Sequence, residues 1–227
     1  MKIRFLGTGA ADYPRERTKD LPAHMRRFSS ALIDGCLLID PGPHVLDALD
    51  AFSIAPDTIH YIINTHPHSD HFCEETVQAL EAQGSELIPL QAGDVRQIGN
   101  YTVTALQANH ATSRTPVHFL ITDGTSTLFY GLDGAWLLYE EAEAIKAAKP
   151  DLAVLDATVG FAQGDFRIFE HNDLHMVLEM QQYLKNFIKR FCISHMARTL
   201  HTDHETLVRD MAPHQITVAY DGLEIEL

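Results

Sequence analysis

The sequence predicts a mixed α/β (α+β) domain of four layers, two sheets packed face to face with helices outside them. Three observations predict it. Strand-like and helix-like periods alternate along the chain. No low-complexity linker or long charge run interrupts the 227 residues, so residues 1–227 read as one domain with one buried core. A strand block is followed by strand–helix alternation, and that order then repeats, which supplies one sheet from each half.

The elements follow in order. "KIRFLGTG" reads as a strand ending in a tight turn; "GTGAA" is too short for a phosphate-binding fingerprint. "SSALIDGCLLIDPGP" reads as two short strands joined at Asp34-Gly35. Val45, Leu46, Leu49 and Phe52 have helical spacing behind Pro43. "IHYIINT" is a buried strand, and Ser69 or Asp70 caps the helix that follows it, "EETVQALEAQG". "ELIPL", "QIGNYTVTALQA", "PVHFLITDG" and "STLFYGLD" form the second strand block. "WLLYEEAEAIKAAK" is helical up to Pro150, and "DLAVLDAT" is a strand. "NDLHMVLEMQQYLKNFIK" is a long amphipathic helix, with Leu174, Val177, Leu178, Leu184 and Ile188 on one side. "RFCISH" is a strand and "DHETLVRDM" a helix, and "ITVAYDGLEIEL" closes the chain as a hairpin around Asp221-Gly222.

Composition narrows the function classes. The formal net charge is -14, which repels phosphate backbones and disfavours a nucleic-acid partner. No run approaches the roughly 18 apolar residues of a membrane helix, and the N-terminus lacks the apolar core of a signal peptide. Three cysteines, Cys36, Cys73 and Cys192, fit neither a disulfide framework nor a Cys-based zinc site and suit a reducing, cytoplasmic setting. Fourteen histidines are far above an ordinary share, and histidine is the commonest metal ligand.

Four of the candidate ligands fall together in "THPHSDH", directly after an apolar strand. His66 and His68 are two apart in an extended segment and so share a face, while Pro67 stiffens the backbone between them. Asp70 and His71 leave the turn in other directions. Two imidazoles suit one divalent cation, and a carboxylate with an imidazole suits a second, zinc or manganese by donor type.

That stretch resembles the HxHxDH signature of the metallo-β-lactamase superfamily. The resemblance implies an αββα sandwich, with the site at the edge between the sheets. It implies that His110, at the end of "YTVTALQANH", joins His66 and His68, and that His195 in "RFCISH" joins Asp70 and His71. Asp133 after "TLFYGLD" would bridge the two metals, with Asp156 in "LAVLDAT" as its rival. Asp40 in "LLIDPGP" would buttress the ligands from behind. His118 reads as a histidine either packed in its strand or supporting the ligands from behind. His201 and His204 rank behind His195, as surface residues or substrate contacts.

"EHNDLHMVLEMQQYL" and "VAYDGLEIEL" resemble the phosphodiesterase branch that acts on phosphoribosyl 1,2-cyclic phosphate. This implies His171 as general acid, with Asp70 as both ligand and catalytic carboxylate; His175, one turn on, reads as structural. The branch's Cys-rich zinc site has no counterpart here, because "DYPRERTKDLPAHMRRFSS" contains no Cys. The same stretch concentrates Arg15, Arg17, Lys19, Arg26 and Arg27, and Arg26 and Arg27 are the expected phosphate contacts. The expectation is therefore a two-metal phosphodiesterase with a small phosphate-containing substrate, no nucleic acid and no membrane, and with a homodimer left open. The alternatives are a nuclease resembling tRNase Z, a lactonase or other carbon-ester hydrolase, and a metal-binding protein without catalysis.

Overall fold

Ile3 and Phe5 of β1 (Lys2–Gly7) alternate inward, and β2 (Ser30–Ile33) and β3 (Leu37–Ile39) are buried throughout. These segments are apolar on the face they bury, and so they pair rather than coil. The computed structural model describes residues 1–16, 21–22 and 24–227, so Arg17 and Lys19 lie outside the described residues. β1, β2 and β3 join β4 (Tyr61–Ile63), β5 (Glu86–Leu87) and β13 (Glu224–Glu226) in one sheet of order β13-β1-β2-β3-β4-β5.

The second sheet has the order β12-β11-β10-β9-β8-β7-β6. Its strands are β6 (Val95–Ile98), β7 (Tyr101–Gln107), β8 (Val117–Thr122), β9 (Thr127–Gly131), β10 (Leu152–Asp156), β11 (Arg190–Ser194) and β12 (Ile216–Val218). The two inner faces enclose one apolar core that includes Phe5, Ile39, Val103, Phe119, Tyr130 and Val154. Helices α1 (Val45–Ala51) and α2 (Glu74–Glu81) cover the first sheet over Leu32, Leu38 and Ile62. Helices α3 (Tyr139–Ala148), α4 (Leu174–Leu184) and α5 (His204–Met211) cover the second over Phe129, Ala153 and Ile193. The four layers expected from the sequence are present.

Three local readings are corrected. The closing segment is not a hairpin. β12 pairs parallel with β11 in the second sheet, and β13 pairs antiparallel with β1 in the first. The turn at Asp221-Gly222 therefore crosses from one sheet to the other, anchored where the Asp221 carboxylate accepts from Thr8 Oγ1 and the Arg27 N–H, each at 2.7 Å. Neither Ser69 nor Asp70 caps a helix. The backbone N–H groups of His71 and Phe72 bond the carbonyl of His68, and α2 starts only after Cys73. The long amphipathic helix expected from Asn172 onward is shorter than its pattern. It begins where the Asp173 carboxylate accepts from the Met176 N–H at 2.7 Å, and it ends at Leu184.

One arrangement positions the site. β3 and β4 run parallel, and so do β9, β10 and β11. Parallel neighbours bring their C-terminal ends to one edge. Residues just past those ends therefore meet between the sheets.

Candidate metal centre

Asp40 follows β3 and holds the metal-binding loop from behind. Its Oδ1 accepts from the Thr65 N–H at 2.7 Å and the Thr65 hydroxyl at 2.8 Å, and its Oδ2 faces His71 Nδ1 at 2.8 Å. Gly42 lets the loop approach, because a Cβ there would lie 2.3 Å from the Asp70 carbonyl oxygen.

The seven sequence-predicted donors come together as two clusters that share Asp133. The donor atoms of His66, His68, His110 and Asp133 lie within 4.8 Å of one another, and so do those of Asp70, His71, Asp133 and His195. Asp133 Oδ1 lies 3.1 Å from His71 Nε2 and 2.9 Å from His195 Nε2, while its Oδ2 lies 3.5 Å from His66 Nε2 and 3.8 Å from His110 Nε2. One carboxylate thus faces each half with a different oxygen. That is the placement a bridging ligand needs.

The far ring nitrogens are already engaged. His71 Nδ1 faces Asp40, His195 Nδ1 lies 2.7 Å from the Thr158 hydroxyl, and His110 Nδ1 lies 3.1 Å from the Glu170 carbonyl. Carboxylate and carbonyl acceptors require N–H at those positions. The opposite nitrogens of His71 and His110 are then lone pairs, and these meet His195 Nε2 at 3.2 Å and His68 Nδ1 at 3.1 Å. Imidazole nitrogens that converge this closely can share a metal cation or, without one, a proton. His66 Nε2 and Asp133 Oδ1 are buried without a hydrogen-bond partner. The donor set, imidazole and carboxylate only, suits zinc or manganese. The residues of each cluster fit a divalent cation.

The electrostatics agree. Burial, reinforced by His71, pulls His66 down to about 2, which keeps its ring neutral. Burial also lowers His110. Burial alone would raise Asp133 and Asp70, yet the histidines around them hold both well below the usual carboxylate range. His66 and His110 are thus neutral and Asp70 and Asp133 anionic. Burial lowers His71 and His195 too, but Asp133 and the neighbouring carboxylates outweigh it and raise both rings well above the usual value, protons that a bound cation would displace.

Asp156 does something the sequence did not reveal. It ends β10, beside Asp133 beyond β9, and was the rival bridge. Its Oδ2 instead faces His171 Nδ1 at 3.0 Å and accepts from the Asp133 N–H at 3.2 Å, while its Oδ1 accepts from the N–H groups of Thr158 and Asn172. His171 is 15% exposed at its side chain, and its ring lies 5.1 Å from that of His110 and 5.4 Å from that of His195. Burial opposes charging His171, but Asp156 outweighs it and raises the ring above its usual value. The signal was the run "LDAT", whose Thr158 binds the Asp156 carboxylate and reaches both His171 and His195.

Other predicted residues lie elsewhere. The Arg26 guanidinium donates to the Thr8 hydroxyl and the Ala219 carbonyl and meets His204; Arg27 pairs with Asp221 at 3.8 Å and lies over the Phe52 ring. These described contacts are not with the seven donors. His118 is buried against Glu141 at 2.5 Å, and His201 Nε2 donates to the Ala157 carbonyl at 2.5 Å. His175 packs edge-on to Phe161. Arg15, in contrast, donates from Nη2 to the Ser69 hydroxyl inside the histidine motif. Asp40, Asp133 and His195 all have positive φ, at 62°, 59° and 60°, a strained conformation for residues other than glycine.

Comparison with known proteins agrees with this geometry. Residues 29–74, which span Asp40 and the histidine motif, match the metallo-β-lactamase superfamily. The structure resembles the metallo-β-lactamase fold protein YhfI from Bacillus subtilis, with 17% identity, a TM-score of 0.75, and 100% and 99% of the two chains covered. It also resembles a diphosphatase of the PhnP family, at 19% identity and TM-score 0.73 over 100% of this chain and 97% of that one. Human tRNase Z, short form, gives 19% identity and TM-score 0.70 over 100% and 99%. No curated protein matches the sequence. The matched segment carries the superfamily's motif region, and the chain as a whole has the metallo-β-lactamase fold. No helix among the described residues is long and apolar enough to cross a membrane.

Proposed function

We propose that the protein is a two-metal hydrolase of phosphodiesters, acting on a small cyclic or diester phosphate such as a phosphoribosyl cyclic phosphate. The observation that carries this reading is the Asp156–His171 pair set beside both ligand clusters. Two divalent cations held by His66, His68, His110, Asp70, His71, His195 and Asp133 would polarise phosphate oxygens and lower the pKa of a water. The chain's own part is to orient and to move a proton. Asp156 fixes the His171 ring through Nδ1, which leaves Nε2 as the proton-transfer atom. A protonated His171 donates to the oxygen that leaves phosphorus. Asp70 lies 3.4 Å from His71 Nε2 and serves as ligand and as a fixed negative charge beside the attacking water.

The likeness to a diphosphatase of the PhnP family supports phosphorus chemistry, and the -14 charge disfavours a tRNA substrate. His171→Ala should slow a diester with an alkoxide leaving group by about 10²–10⁴-fold. The same variant should change 4-nitrophenolate release far less, because that group departs without a proton. Metal content should stay near two per chain. Loss of metal in His171→Ala refutes the acid role. Hydrolysis of a lactone with none of any phosphodiester refutes the reading itself.

A further inference from the structure

Charge balance at the metal centre leaves a task that the seven ligands do not perform. Asp40, Asp70, Asp133 and Asp156 are all buried around it. Four carboxylates offset two divalent cations, which leaves the protonated His171, itself paired with Asp156, as the one positive charge for a multiply charged anion. The rest of the chain is acidic and repels one. A substrate with a second anionic group needs a cation outside the cluster.

The arginines differ in how they are occupied. Arg26 is spent on Thr8, Ala219 and His204. Arg27 pairs with Asp221, and Arg167 grips Asp165 through two nitrogens at 2.8 Å each. Arg15 is exposed, and its described contact is with the neutral Ser69 hydroxyl. Among the described residues no carboxylate pairs with it. Ser69 is itself exposed and stands between His68 of one cluster and Asp70 of the other. One hydroxyl occupies one of the five N–H donors of a guanidinium. The remaining fork matches phosphate or carboxylate oxygens, and the Ser69 O–H remains able to donate to the same anion.

We propose that Arg15, seated on Ser69, binds a second anionic group of the substrate, and so selects diesters that carry an additional phosphate or carboxylate. This rests on the phosphodiester reading above and replaces Arg26 and Arg27 as the phosphate contacts.

The test compares ribose 1,2-cyclic phosphate with and without a 5-phosphate, using metal-loaded protein. Arg15→Ala should raise KM about tenfold for the doubly charged sugar, the scale of one charge-assisted hydrogen bond at a wet site. It should leave kcat and the singly charged sugar unchanged. Arg15→Lys should recover part of the loss. Arg96→Ala removes the same charge from β6, where Arg96 pairs with Asp94, and should do nothing. An equal change for both sugars, or none, overturns the proposal. If the wild type hydrolyses neither sugar, the phosphodiester reading fails separately. Calorimetry then decides Arg15 without turnover. Pyrophosphate should bind Arg15→Ala about tenfold more weakly than wild type while phosphate binding is unchanged; equal pyrophosphate affinity overturns the assignment.

Discussion

The two halves of the metal centre share a bridge but are built differently. The half made by Asp70, His71 and His195 is buried throughout, contains its own carboxylate and has Asp40 behind it. The half made by His66, His68 and His110 offers three neutral rings, and His68 is partly exposed. Its far nitrogens hydrogen-bond the neutral Thr65 hydroxyl and Glu170 carbonyl, and the Glu170 carboxylate lies farther off, 3.9 Å from His110 Nδ1. At an effective dielectric of about 20, one extra unit charge at 4 Å is worth about 4 kcal/mol to a monovalent cation. The difference teaches that equal donor counts do not make equal sites. The carboxylate-bearing half should hold a cation more tightly.

The largest effect should come from removing what the halves share. Asp133→Ala should empty both and cut turnover by roughly 10³-fold or more, with metal analysis showing less than one ion per chain. Retention of two ions would break the bridging assignment. Next come the half-specific variants. His110→Ala should leave one tightly held ion, and graded chelation of the wild type should release the ion of the three-imidazole half first. Simultaneous release of both ions would erase the distinction. Asp40→Asn sharpens the comparison further. It should weaken the half that contains His71, which Asp40 meets directly, by about 10–100-fold in metal affinity, and the other half less, because Asp40 reaches His66 only through the Thr65 hydroxyl.

The smallest effect concerns a histidine outside both halves. Burial acts to lower His118, but the charge and hydrogen bond of Glu141 outweigh it and raise the ring above its usual value. The folded state therefore holds that proton more tightly than the unfolded chain. The stabilisation is fully present below about pH 6.5 and is lost as pH rises through the raised folded value. Glu141→Gln should cost about 1–3 kcal/mol near pH 6 and clearly less near pH 9, read from denaturant unfolding. A cost that does not change with pH would show that the pair is not an ion pair.

Much of this was legible in the sequence because strand ends carry the chemistry. "THPHSDH", His110, Asp133 and His195 each follow an apolar run, and the parallel strands carry those ends to one edge. Asp133 and Asp156 were harder to separate, because both stand at or just past adjacent parallel strand ends. Only the geometry shows one facing four imidazoles and the other holding His171. The crossing between β12 and β13 was hidden because Asp-Gly between apolar runs is also the signature of a hairpin. Arg15 stands in the same basic stretch as Arg26 and Arg27, and nothing in its spacing singles out its contact with Ser69.

The left-handed backbone at Asp40, Asp133 and His195 has a consequence for how this sequence can drift. Each such residue costs of order 1 kcal/mol relative to glycine. While the centre is under selection, that cost is borne. In a lineage that keeps the fold and loses the chemistry, glycine or asparagine at 40, 133 and 195 is favoured on folding grounds alone. Those three positions should then be the first to change, ahead of His66 or His68, and they mark where to look for a retired copy of this centre.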